Sequence, residues 1–208
     1  MNTIEMALEE LAERISASLA ERIDQRIKEM ESDDKAHHLL YRVLGVSREE
    51  GELIDRYQNT GRFLYRHIGT FLEESAIMCF EASKDDTQRK VRLKAVNGNR
   101  PRSFEVDCLV GNKAYEIKWR DASTDGDHVR KEQNRVKTIE AEGFIPIRIM
   151  FYEPNRKQAQ AIQNNLQAVY AEVGGEYYSG SDAWQYLKQE TGIDLLEILE
   201  RIAAKKGL

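Results

Sequence analysis

Apolar residues recur at steps of three and four from Ile4 through Leu8, Leu11, Ile15, Leu19, Ile23, Ile27 and Met30, which is the stripe of one long amphipathic helix over residues 3 to 30. Such a stripe needs a partner, either the rest of the same chain or the same helix of a second copy. A shorter helix is expected around Asp34 to Leu44, stopped by Gly45, and residues 49 to 58 also look helical. Thr60 has the character of an N-cap, so a separate helix is expected from about Gly61 to Ala82, with Phe63, Leu64, Ile68, Phe71, Leu72, Met78 and Cys79 as its apolar set.

The period then changes from helix to strand. Arg89 to Val96 alternates polar residues with Val91, Leu93 and Ala95, and ends in the turn signal Asn97-Gly98-Asn99-Arg100-Pro101. Ser103 to Val110 and Lys113 to Arg120 are two further strands joined by Gly111-Asn112. After a polar loop from Asp121 to Asp127, residues 128 to 142 form a helix, Ile145 to Phe151 an apolar strand, and Pro154 starts a helix that runs to about Val173 and is closed by Gly174-Gly175. Ser181 to Thr191 and Asp194 to Lys206 are the last two helices. This order defines an α/β fold, a mixed β-sheet flanked by helices, with helical N- and C-terminal extensions. The organisation expected along the chain is a helical region over 1–58 for packing or dimerisation, a core over 59–175, and C-terminal helices over 176–208 that join the core.

The tight turn at Gly111-Asn112 fixes the register of its hairpin: cross-strand partners have numbers that sum to 223. Phe104, Val106 and Cys108 then fall on one apolar face opposite Trp119, Ile117 and Tyr115, while on the other face Asp107 lies across from Glu116 and Glu105 across from Lys118. Like charges facing each other cost ~0.2–1 kcal/mol on a sheet, and more when shielded from water. A divalent cation between the carboxylates reverses that sign, because hard ions such as Mg²⁺ take one or two carboxylates plus water and phosphate oxygens. Lys118, two residues beyond Glu116, reaches the same volume, where an ammonium orients or helps deprotonate a water.

Charge supports this region as the one that meets phosphate. The formal net charge is -5, which alone argues against a nucleic-acid partner. Yet residues 1 to 34 hold ten acids against four bases, whereas residues 84 to 120 hold ten bases against five acids. A basic middle segment with fixed carboxylates inside it suits a phosphate surface around a cation, although a solvated hairpin has the same composition. Cys79 and Cys108 each sit in an apolar segment and are expected to be reduced core residues. No stretch approaches the ~20 apolar residues of a membrane span. The acidic start lacks the pattern of a secretory signal, and a cytoplasmic location is expected.

Asp107 followed by Glu116-Ile117-Lys118 resembles the PD-(D/E)xK nuclease superfamily, with Val106 standing where the eponymous proline would be. Gly69-Thr70-Phe71-Leu72-Glu73 looks like the motif that brings a further acid to the metal from the preceding helix; Glu74 competes with Glu73 for that place. A closer resemblance runs from about Tyr115 to Leu196. Glu116-Ile117-Lys118-Trp119-Arg120-Asp121-Ala122, Asp125-Gly126-Asp127-His128, the run from Ile147 to Arg156, Ser181-Asp182-Ala183-Trp184 and Thr191-Gly192-Ile193-Asp194 are similar to the ApaLI-like type II restriction endonucleases.

The resemblance implies a restriction-endonuclease-like fold and a Mg²⁺-dependent phosphodiesterase that cuts double-stranded DNA at a short palindromic site, as a homodimer with one active site per strand. Mn²⁺ is the implied substitute, and Ca²⁺ the ion that supports binding without turnover. It implies Asp107, Glu116, Lys118 and Glu73 as catalytic residues and Asp107, Glu116 and Ile117 as metal contacts.

Other positions have two readings each. Arg120, Arg130, Lys131, Asn134 and Arg135 follow the catalytic strand closely enough to reach phosphates or base edges, but exposed helix charges have the same pattern. Asp125 and His128 are open to metal or DNA contact, while Asp127 is better explained as an N-cap for the helix at His128. His37 and His38 lack a matching Cys or His cluster, so no zinc role is expected there. Trp119 and Trp184 are expected as core anchors. The competing functions are a repair or junction-resolving nuclease on the same scaffold, which reads DNA shape, and a non-catalytic DNA-binding or coiled-coil interaction protein.

Overall fold

The computed structural model describes residues 3–95, 102–121, 123 and 126–207. The expected turn at Asn97 to Pro101 and the candidate Asp125 lie outside the described residues. The chain forms two compact units, one of residues 7–71 and one of residues 72–208 together with residues 1–6.

Residues 7–71 are helical. α1 (Thr3–Glu31) follows the predicted stripe, α2 (His38–Val43) is short and ends before Gly45 at φ +83°, and α3 spans Arg48–Ser83. Within this unit α1 and α3 run antiparallel, with Ser18 Oγ and His67 Nε2 3.4 Å apart and Arg26 donating to Asn59 Oδ1 at 2.9 and 3.1 Å. The stripe of α1 is buried at Leu8 and Leu11 and half-buried from Ile15 to Met30, so its own chain supplies part of the partner. The expected break at Thr60 is corrected: α3 is continuous, and Thr60 Oγ1 donates back to the Arg56 carbonyl at 2.7 Å while Asn59 Nδ2 donates to the Asp55 carbonyl. A side chain of this type is equally content at a cap and back-bonding inside a helix, and here the continuing helix wins. Leu39, Leu40, Val43, Leu44 and Tyr57 are exposed.

The second unit holds a five-stranded sheet in the order β1-β2-β3-β4-β5, with β1 (Gln88–Lys94), β2 (Ser103–Val110), β3 (Lys113–Arg120), β4 (Ile145–Tyr152) and β5 (Glu176–Ser179). β1, β2 and β3 form an antiparallel meander, and β4 and β5 continue parallel to β3 through α4 (Gly126–Ala141) and α5 (Lys157–Glu172). One face carries α4 and α5, where Val136 packs with Val169 and Tyr170. The other carries the end of α3 and α6 (Ser181–Thr191), with Phe80 against Tyr115 and Tyr115 against Tyr186. α7 (Leu195–Lys205) closes the fold, its Arg201 and Lys205 paired with buried Glu5 at 3.2 and 2.9 Å. Cys79 and Cys108 are free and buried, and Trp184 packs against Phe151 at a tilt of 47°. Among the described residues no helix is long and apolar enough to cross a membrane.

β5 was not foreseen in the sequence. Its four residues are too few to show alternation, and Gly175 hides its entry: a Cβ there would stand 2.5 Å from the Pro146 carbonyl, so only glycine lets the chain turn into the sheet. Two expected helix starts also move. α5 begins at Lys157, three residues after Pro154, and α4 begins at Gly126, which puts Asp127 inside its first turn, paired with Arg130, and not at the cap.

Candidate active site

The hairpin register is the one the turn dictates, as far as it goes. Val110 pairs with Lys113, Leu109 with Ala114 and Cys108 with Tyr115, around Gly111 at φ +57°. There the ladder stops. Asp107 does not pair with Glu116 across the strands; its carboxylate turns into the gap between β2 and β3 and accepts from the Ile117 amide at 2.7 Å. On the other side of β2 the pairing with β1 also skips Asp107, opposite Lys90, which adopts φ +53°.

This distortion breaks the alternation of side chains. Val106 and Leu109 enter one cluster with Leu93, Ala114 and Ile139, and Phe104 lies under the guanidinium of Arg135, whereas Tyr115, the partner of Cys108, packs on Phe80. The single apolar face of Phe104, Val106 and Cys108 is therefore corrected: the first two face α4 and the third does not. A left-handed residue opposite an unpaired one changes which way the following side chains point, as a bulge does.

The two carboxylates nevertheless meet, at Lys118. Its Nζ stands 2.5 Å from Glu116 Oε1 and 3.6 Å from Asp107 Oδ2, and also donates to the Ile117 carbonyl at 3.2 Å. Asp107, Glu116, Lys118, Lys131 and Arg135 line one open cleft of about 510 Å³, together with Phe104 and Glu105. Glu73 approaches from α3: it is paired with Lys90, and its charge acts on Asp107. Glu74 is turned to Arg89 at 2.9 Å.

The electrostatics of the pair are unequal. Burial and then the charge of Glu116 push the Asp107 carboxyl up to about 7, against the pull of Lys118 and the Ile117 amide. Glu116 is buried too, but Lys118, Arg135 and Arg148 outweigh that and hold it down at about 2. Lys118 is itself pushed down by burial and raised further by Glu116 and Asp107, so it is a cation in this site. Glu116 Oε2 is ion-paired with Arg135 yet makes no hydrogen bond. The carboxylates of Asp107 and Glu116 and the Ile117 carbonyl, which all converge on Lys118 Nζ, form a hard-oxygen donor set that fits a divalent ion.

Arg135, a candidate for DNA contact from the sequence, lies against the carboxylates of this centre: its Nη1 pairs with Glu116 and its Nε lies 3.7 Å from Glu132 Oε2. Behind it stands a buried network that sequence reasoning missed. Arg148, fully buried, lies beside Glu116 in the register of β3 and β4 and pairs with Glu132 at 3.2 Å and Asp121 at 2.6 Å. Tyr170 donates to Glu132 at 2.8 Å, and His128 meets Asp121 at 2.7 Å. The available signal was an arginine in the middle of the apolar run from Ile147 to Phe151, since a buried cation must be paired. Of the remaining candidates, Lys131 is exposed at the cleft, Arg130 is exposed, Asn134 is half-buried on α4, and Arg120 ends β3 beside Tyr152; these last three do not line the cleft.

A mixed sheet with an acid on one strand, acid-x-Lys on the next and a glutamate on the preceding helix defines the PD-(D/E)xK nuclease superfamily. The profile of the ApaLI-like restriction endonucleases matches residues 1–204, and the chain belongs to that family, whose members are DNA hydrolases. No curated protein and no solved structure matches the chain.

Proposed function

We propose that the protein is a type II restriction endonuclease that hydrolyses phosphodiester bonds in both strands of a short palindromic DNA site with Mg²⁺. The observation that carries this reading is the convergence of Asp107 and Glu116 on Lys118 Nζ at the mouth of a cleft lined by Lys131 and Arg135. Asp107, Glu116 and the Ile117 carbonyl would hold the ion, and Mn²⁺ would replace it, whereas Ca²⁺ would support binding alone. When bound, the ion supplies charge stabilisation at the attacked phosphate and a more acidic water. Lys118, an ammonium, donates a hydrogen bond to the attacking water and holds it in line with the phosphorus; as the water oxygen bonds to phosphorus its proton passes to solvent, and the bond to the leaving oxygen breaks as that oxygen takes a proton from solvent. Glu73 assists from the α3 side of Asp107. Arg135 and Arg148 keep Glu116 ionised, and Lys131, with Arg120, His128, Arg130 and Asn134 near the same helix, binds the duplex.

Plasmid incubated with the protein and Mg²⁺ tests the reading: discrete fragments are expected, and Lys118→Ala should lower the rate by ~10³-fold or more with DNA binding in Ca²⁺ retained. Nicks that follow DNA structure would favour a repair or junction-resolving nuclease, and intact plasmid a binding protein.

Each chain carries one such centre, so cutting two strands in one encounter needs a second copy. We take the exposed apolar residues of α2 and the neighbouring turn of α3 as the surface that meets it. Leu40→Glu with Leu44→Glu, at residues 64 and 80% exposed, should turn a dimer into a monomer in light scattering at unchanged helix content. An unaltered mass would move the interface elsewhere.

A further inference from the structure

The corner between α2 and α3 is held closed largely by polar side chains. α2 is six residues long and buries none of them. Its attachments are polar: Lys35 pairs with Glu52 at 3.4 Å, and three side chains converge on Asp55. His37 Nε2 and His38 Nε2 approach the same oxygen, Oδ2, at 3.0 and 2.8 Å, while Tyr41 donates its hydroxyl to Oδ1 at 2.8 Å. Gly51 makes room for this, since a Cβ there would stand 2.9 Å from the Tyr41 ring.

The convergence is more than hydrogen bonding requires. The ring of His37 is half exposed and has water available, yet it shares an oxygen already taken by His38. The two rings stand edge to face at 89°, so their nitrogens reach Oδ2 from different directions, and the three donor atoms lie within 4.8 Å of one another. We propose that His37, His38 and Asp55 bind one borderline divalent transition ion of the Zn²⁺ type, which clamps α2 to α3. Two imidazole nitrogens and one carboxylate oxygen suit Zn²⁺ and not Mg²⁺, and they leave a fourth position for water. Tyr41 holds the other carboxylate oxygen and so aims Oδ2 at the ion. His37 and Asp55 also line a cavity of about 820 Å³, beside Arg26, Lys35 and Glu52. All of these residues belong to residues 7–71, so the inference is independent of the nuclease reading.

The test uses the full chain carrying Asp107→Asn, so that the carboxylate pair of the cleft cannot compete for the ion. After treatment with a chelator, Zn²⁺ is titrated in by calorimetry, and Co²⁺ by its visible absorption. One saturable equivalent is expected, with a rise in melting temperature. Adding His37→Ala, at an exposed position where folding is not at risk, should weaken binding at least ~10-fold and abolish the rise, with an unchanged circular dichroism spectrum. Absence of saturable binding in the Asp107→Asn chain, or equal affinity with and without His37, would overturn the site.

Discussion

Asp107→Asn is expected to do two opposite things at once: lower DNA cleavage by ~10³-fold or more, and raise the stability of the metal-free protein at and above pH 7. The amide oxygen of asparagine can still accept from the Ile117 N–H, so the gap between β2 and β3 stays bridged. What disappears is a charge that burial and Glu116 oppose. The sign follows from where the group titrates. Its folded value is raised to about 7 from an ordinary carboxylate value, so the folded state holds a proton that the unfolded chain has lost. Stability therefore falls as pH climbs from about 4 to about 7 and stays reduced above that. Removing the group should return on the order of 2–4 kcal/mol at pH 8, read as a higher midpoint in urea. The same window governs the ion: affinity for Mg²⁺ in the unaltered protein should rise through pH 7 as Asp107 loses its proton. A variant that loses both stability and activity would show that Asp107 is mainly structural.

The second large effect is expected at Arg148. Truncating it to alanine leaves the carboxylates of Glu132 and Asp121 facing each other without their buried cation, and such a loss costs about 3–5 kcal/mol. In a chain of this size, that corresponds to a fall in melting temperature of roughly 10 °C. Arg130→Ala, which removes an exposed pair with Asp127, should stay within ~0.5 kcal/mol. The contrast separates burial from charge, because both substitutions delete one guanidinium. If Arg148→Ala melts like Arg130→Ala, the network is not holding α4 against the sheet.

How far the site could be read from sequence depends on whether it was built by local or distant contacts. The turn at Gly111-Asn112 is local, and it correctly gave both strands to their ends and the pairing as far as Cys108 and Tyr115. Past that point the structure obeys a contact from β1: Lys90, in a left-handed conformation, changes the direction of the residues opposite it, and no pattern in β2 announces this. The same holds for Arg135. From its position on α4 it was one of several helix cations, and only the packing of α4 on β3 makes it the partner of Glu116. Thr60 failed in the other direction: a residue with cap character back-bonds to the Arg56 carbonyl inside a helix that continues through it. Asp55 was invisible because its partners come from another helix, 17 and 18 residues earlier.

The parting of β2 from β3 beyond Cys108 has a consequence for how such an enzyme can diverge. The hinge end of the hairpin is fastened, with the Gly111 amide bound to Asp86 at 2.8 Å, so the two strands that carry the acids are joined there. The free ends lead away from the paired rungs, β2 from Arg102 and β3 toward Asp121. Insertions beyond those ends can accumulate without shifting the chemistry as long as Asp121 keeps its pairing with Arg148, which leaves the lineage free to change what it recognises while keeping how it cuts.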